Sequence, residues 1–293
     1  MVNRFILNEV SYFGPGARKE LPAVIASRGW KKALVVTDKG LMKFGVAKMV
    51  LDVLDGADIA YEVFDDVKPN PTVSNVTAGI EACKKAEADF IIAIGGGSSM
   101  DTAKGIGVVV TNPEFADIVS LEGVAPTKNK CLPIVALPTT AGTGSEATPF
   151  AIITDERTGL KYPIADYELL PKIAIVDPDL MMNIPKGLTR ASGVDVLVHA
   201  LEALASIMAS DYTDALATKS LELLFKYLPR AYKYGANDEE AREKVAYASS
   251  LAGIAFANAF LGLVHSMGHK LGAYHHLPHG IAVCLCLVEV VKY

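Results

Sequence analysis

The sequence has four cysteines but no CxxC pair, one tryptophan, and no histidine before position 199. It also has no dense lysine/arginine run. With a formal net charge of -5, that absence excludes an extended nucleic-acid surface. No low-complexity tract interrupts a chain that is 51% hydrophobic and 21% charged, which excludes disorder as its main state. Nor is there an apolar stretch of the ~20 residues that a membrane-spanning helix needs. The two nearest candidates are Leu251–Val264, interrupted by Asn258, and Ile281–Val288, which ends at Glu289. Both read as helices buried in a protein core. The N-terminus offers one arginine and then a three-residue apolar run, too short for a signal-peptide core. These features predict a soluble, cytoplasmic chain with no membrane and no nucleic-acid partner. Cys83, Cys131, Cys284 and Cys286 are expected to be buried free thiols in a reducing compartment.

What is present changes texture along the chain. Ala33–Thr37, Phe90–Ile94, Cys131–Leu137 and Ile173–Val176 are short apolar runs, separated by helix-like segments such as Val73–Ala86. Runs of this kind predict a mostly parallel sheet covered on both faces. From about Thr189 onward the pattern is helical. The proline and glycine of Asn183–Gly187 suit a linker. The expected architecture is an α/β N-terminal dinucleotide-binding domain over residues 1–184 and an all-α C-terminal domain over residues 185–293.

Two loops follow predicted strands. The run Phe90–Ile94 leads into Gly95, Gly96, Gly97 and Ser98, and then into a helix. Glycines lack the Cβ that keeps a ligand off the backbone, and a helix N-terminus presents unpaired N–H groups to phosphate. The loop is neither GxGxxG nor a Walker A sequence, so a simple tight turn is the alternative. The second loop, Pro138–Glu146, is rich in hydroxyls, with Thr139, Thr140 and Thr143 among them. Ligands in α/β sheets collect beyond the carboxyl ends of strands, so two such loops predict a dinucleotide site. Asp38 follows the first strand, where it either accepts from an adenosine ribose, favouring NAD over NADP, or caps a helix.

All six histidines lie at or after position 199. Asp195, His199 and Glu202 are spaced to share one helix face, flanked by Val194, Leu197, Val198, Leu201 and Leu204. A buried stripe of this kind is costly unless compensated, by a divalent cation or by hydrogen bonds within the stripe. His265 and His269 are again four apart, and His279 follows Leu277-Pro278. The stretch reads HSMGH, without the glutamate of the hydrolytic HExxH signature. A set of carboxylate and imidazole donors suits Fe(II) or Zn(II). Glu202 is a candidate for orienting a ligand histidine. His269 is a candidate catalytic proton relay, because imidazole titrates near neutrality.

Together with Val67–Thr72 (VKPNPT), the motifs IGGGSSMDTAK, PTTAGTGSE, GVDVLVHALE and LVHSMGHKLGAYHHLPHG resemble those of the iron-dependent (group III) alcohol dehydrogenases. The likeness runs from FILNEVSYFG to the end of the chain. It implies metal ligation by Asp195, His199, His265 and His279, with His269 near the nicotinamide but not a ligand. It implies cofactor contacts from Asp38, Asn70, Gly97, Ser98, Asp101, Thr139, Thr140 and Lys161, to which the loop reading adds Gly96 and Thr143. The implied activity is NAD(H)-dependent interconversion of small alcohols and aldehydes, such as 1,2-propanediol and lactaldehyde, by a homodimer. The metal, Fe(II) or Zn(II), would act as a Lewis acid on the substrate oxygen. His275 and His276 crowd the turn before His279, Lys270 stands where proline is common, and Gly268 where alanine is common. Family members continue beyond the position of Tyr293, so the metal-binding domain is expected to be incomplete here. Two alternatives stand beside this reading. One is a dehydroquinate-synthase-type lyase of the same fold, which would need a more basic pocket. The other is a truncated, non-catalytic chain.

Overall fold

The computed structural model describes residues 4–125, 127–275 and 277–293. It divides the chain into two compact units: residues 8–139 with 148–180, and residues 1–7 with 140–147 and 181–293.

The first unit is built on six parallel strands in the order β1-β9-β6-β4-β2-β3. They span Val10–Phe13 (β1), Lys32–Val36 (β2), Ala60–Phe64 (β3), Phe90–Gly95 (β4), Ile134–Pro138 (β6) and Ile173–Val176 (β9). Successive residues point to opposite faces of a sheet, and here both faces are covered. Leu34, Val36, Ile91, Ala93, Ile134 and Ala136 pack into one core. Ala33, Val35, Ile92, Ile94, Val135, Leu137 and Ile175 pack into the other. That division explains why the central strands read as unbroken apolar runs. Each fully buried leucine or isoleucine among them contributes about 1.5–3 kcal/mol.

Helices α1 (Leu21–Arg28), α2 (Lys39–Lys43) and α3 (Val46–Asp55) precede α4 (Val73–Ala86) and α5 (Gly97–Thr111). A smaller sheet joins β5 (Gly123–Val124), β8 (Leu160–Ala165) and β7 (Phe150–Asp155), with β7 and β8 antiparallel. Helix α5 anchors β7 at two points. Asp101 Oδ2 accepts from the Ile152 N–H (3.0 Å), and the fully buried Lys104 donates to the Phe150 carbonyl (2.7 Å) and the Thr148 hydroxyl (3.2 Å).

The second unit holds α6 (Lys186–Ala205), α7 (Asp211–Tyr234), α8 (Glu239–Ala259), α9 (Leu263–His275) and α10 (His279–Lys292). The expectation that Leu251–Val264 is one buried helix fails at Phe260. There the backbone turns to φ 64, and α8 meets α9 at 107°. Asn258 contributes to that end: its amide donates to the carbonyls of Ile254 (2.9 Å) and Ile6 (3.1 Å). Ile281–Val288 is not buried all round either. Ala282, Val283 and Cys286 face the core of this unit, whereas Leu285 and Val288 are exposed. Cys284 is exposed too, so only Cys83, Cys131 and Cys286 match the buried-thiol expectation. In each case a run of apolar residues says nothing about which flank of a helix finds a partner. Among the described residues, no single helix is long and apolar enough to cross a membrane.

Candidate functional site

The glycine-rich turn lies at the carboxyl end of β4. Gly95 has φ 156, and a Cβ there would stand 2.2 Å from Ser99 Oγ, so the tight strand-to-helix turn requires glycine. Gly96 is the N-cap of α5 and has no side chain with which to cap it. The helix begins at Gly97 and Ser98, both half-buried, so main-chain N–H groups at its N-terminus are available to an anion. The Thr139 N–H donates to the Gly95 carbonyl (3.0 Å), fixing this turn to the end of β6. Asp38 caps α2, its Oδ1 accepting from the Leu41 N–H at 2.9 Å. Asn70, held at φ 56, accepts from Lys161 Nζ at 2.8 Å. They meet because Lys161 on β8 pairs with Thr154 on β7, and the Thr154 N–H donates to the Pro71 carbonyl (2.8 Å). Burial lowers the Lys161 pKa, against a smaller opposing pull from Asp101.

Thr140 and Thr143 lie on the segment that belongs to the helical unit. There the Thr143 hydroxyl accepts from the Ser145 N–H (3.3 Å), and Ser250 on α8 donates to buried Glu146 (2.5 Å). Gly144 abuts Gly253 so closely that a Cβ would fall 2.6 Å from the Gly253 Cα.

The histidine cluster lies wholly inside the helical unit. Helix α6 buries Asp195, His199 and Glu202, α9 supplies His265 and His269, and α10 opens on His279. Asp195 Oδ1 is the common neighbour, 3.8 Å from His199 Nε2, 3.6 Å from His265 Nε2 and 3.3 Å from His279 Nε2. The donor atoms of Asp195, His265 and His279 all lie within 4.8 Å of one another. The His199 ring is stacked between His265 (4.6 Å between centroids) and Phe256 (4.3 Å). The His269 ring lies 5.8 Å from that of His265 and 5.1 Å from that of His279. His275 is exposed, and His276 lies outside the described residues.

Electrostatics fit a cation. Burial opposes ionisation of Asp195, but the surrounding imidazoles outweigh it and hold the carboxyl well below its usual range. Burial pushes His199 down to about 3, helped by the two neighbouring rings and resisted by Asp195, so it is neutral at pH 7. Burial likewise opposes a charged His265, yet the negative charge of Asp195 and the hydrogen bond and charge of Glu202 prevail and raise it to about 9. Asp195 Oδ1 and His265 Nε2 are both buried and lack a hydrogen-bond partner. Orphaned polar atoms of this kind cost about 1–3 kcal/mol each unless something occupies the space between them. The converging atoms of Asp195, His265 and His279 are one carboxylate oxygen and two imidazole nitrogens, with His199 Nε2 3.8 Å from the same oxygen, and donors of these kinds suit Fe(II) or Zn(II).

Glu202 completes the cluster from behind. Its Oε2 lies 2.6 Å from His265 Nδ1, and its Oε1 accepts from the Val264 N–H at 2.7 Å.

A parallel α/β unit with a glycine-opened helix, joined in sequence to a helical unit with an Asp–His₃ cluster, defines a class. The iron-containing alcohol dehydrogenase family model matches residues 8–178, and the model for the C-terminal part of that family matches residues 189–293. The chain belongs to that family, the iron-containing alcohol dehydrogenases. It is 44% identical over 293 residues to lactaldehyde reductase of Escherichia coli K12, covering 100% of this chain and 76% of the relative. The solved structure of a 1,3-propanediol oxidoreductase is 41% identical with a TM-score of 0.96, covering 100% of this chain and 76% of that one. Sulfoacetaldehyde reductase from Bifidobacterium kashiwanohense, solved in complex with NAD+, is 35% identical with a TM-score of 0.91, covering 100% of this chain and 77% of that one.

Proposed function

We propose that the chain reduces small aldehydes, and oxidises the corresponding alcohols, with lactaldehyde and 1,2-propanediol as the first candidates. Asp195, His199, His265 and His279 would hold one Fe(II), or Zn(II), ion. The observation that carries this reading is the buried Asp195 oxygen with three imidazole Nε2 atoms 3.3–3.8 Å away. Metal and NAD, when bound, supply Lewis acidity and the hydride acceptor or donor. The chain's own residues then position and exchange protons. Gly96, Gly97 and Ser98 present main-chain N–H groups to the pyrophosphate, and Thr139, Thr140 and Thr143 offer hydroxyls. Asp101 and the Asn70–Lys161 pair shape the rest of the cofactor's surroundings. Asp38 has a second carboxylate oxygen beyond the one that caps α2, and its charge disfavours a 2′-phosphate, so NAD is preferred over NADP. His269, half-buried beside His279, relays the substrate proton.

We place this activity in the cytoplasm and in a homodimer. The apolar outer edge of the main sheet supports the dimer, since β1 is an edge strand whose Phe13 is 71% exposed. One experiment tests the core of the proposal: anaerobic loading with Fe(II) or Zn(II), metal analysis, and NADH oxidation across a panel of small aldehydes. One bound ion per chain with turnover on lactaldehyde is expected. An ion retained in full by His279→Ala but lost on removing His269 or His275 would refute the ligand set.

A further inference from the structure

We infer that Glu202 is a positioning residue that sets which nitrogen of His265 faces the metal, by accepting two hydrogen bonds that no amide can accept together. The inference rests on the four-ligand reading above.

A carboxylate has two acceptor oxygens and, when ionised, no donor. Glu202 is buried, and each of its oxygens is committed. Oε1 takes the Val264 N–H at 2.7 Å, at the first turn of α9, and Oε2 faces His265 Nδ1 at 2.6 Å. The Val264 N–H can only donate. The imidazole has a choice, and an ionised carboxylate at 2.6 Å forces Nδ1 to carry the proton. In the neutral ring the lone pair then lies on Nε2, the atom that points at Asp195 Oδ1 from 3.6 Å. Glu202 thereby couples two things along one helix: where α9 starts relative to α6, and the tautomer of the ligand one residue further on. A Cβ at Gly262 would stand 3.1 Å from Oε1, so the residue leading into α9 leaves this carboxylate its room.

The consequence is specific to the isosteric amide. In Glu202→Gln only one oxygen remains. If it stays with the Val264 N–H, the NH₂ turns to Nδ1, which must then accept. The proton moves to Nε2 and points at Asp195 Oδ1. The neutral ring that a metal requires then presents a proton, not a lone pair, towards Asp195.

The test uses the full chain, stripped of metal and titrated with Zn(II) against a chromophoric chelator. Glu202→Gln is expected to weaken Zn(II) binding about 10–100-fold, the usual cost of losing such a partner. Unchanged affinity would overturn the inference and leave Glu202 as a helix cap only. His265→Ala and Asp195→Ala run alongside: if these retain Zn(II), it is the ligand set that fails. If they lose it while Glu202→Gln does not, only the role of Glu202 fails. Nitrogen-15 spectra of the Zn(II)-loaded parent give a check that needs no variant. A proton on Nδ1 of His265 and none on Nε2 is expected, and the reverse would refute the inference.

Discussion

At the glycine-rich turn after β4, the polar groups on offer belong to the main chain, and the side chains are missing. At the cluster shared by α6, α9 and α10, the polar groups are side chains, and the helices carrying them are largely apolar. The turn is a shape: Gly95 at φ 156 and Gly96 as an empty N-cap leave backbone N–H groups uncovered. The cluster is a charge problem: Asp195 and Glu202 are buried among imidazoles, with two facing atoms unsatisfied. A backbone site tolerates changes of charge and fails when volume is added. A side-chain site fails when a single donor is lost, whatever volume replaces it.

Four substitutions test that contrast, from the largest expected effect down. Asp195→Ala removes the atom common to all three imidazoles. Bound metal should disappear, and turnover should drop by about three orders of magnitude, reflecting several kcal/mol of charge stabilisation. Metal analysis that finds a full complement in this variant would break the comparison at its strongest point. His269→Ala should leave metal content unchanged and cost about 10²-fold in kcat, the lower end for a proton relay. Loss of metal instead would make His269 a ligand. Gly97→Val adds volume at the first residue of α5. NAD affinity should fall about tenfold by fluorescence titration, as close backbone approach is blocked, while metal content stays normal. Last, Asp38→Gly should reduce the preference for NADH over NADPH several-fold, the order expected of one exposed charge near a phosphate. An unchanged ratio of kcat/KM values would show that capping α2 is all that Asp38 does.

The two sites were legible to different degrees, for reasons visible in their residues. Asp195, His199 and Glu202 have helical spacing on one element, so their shared face could be read directly, and α6 carries all three inward. The central strands β2, β4, β6 and β9 announced themselves because burial on both faces leaves no polar alternation. Strand β3 and the β7–β8 hairpin did not, since their residues are partly exposed and mixed in polarity. Lys161 was therefore a candidate without a known element, and only the pairing of β7 with β8 shows how it reaches Asn70. The Pro138–Glu146 loop carries a second kind of information that spacing hides. Its glycines serve close packing, with Gly144 against Gly253, as much as any ligand. The turn at Phe260 was equally hidden, because a positive φ at a phenylalanine has no compositional signature.

Gly280 follows the ligand His279 and contributes no atom to the cluster. A Cβ there would lie 2.0 Å from the Ala191 carbonyl oxygen and 2.6 Å from its carbon, so α10 rests on the main chain of α6 itself. The separation of His279 from Asp195 is thus gauged by backbone against backbone, four residues before the carboxylate on one helix and one residue after the imidazole on the other. In a screen for inactive variants, changes at position 280 would sort with those of the ligands, although no inventory of coordinating residues would include it. Heredity at this site is carried partly by a residue whose whole contribution is the absence of a side chain.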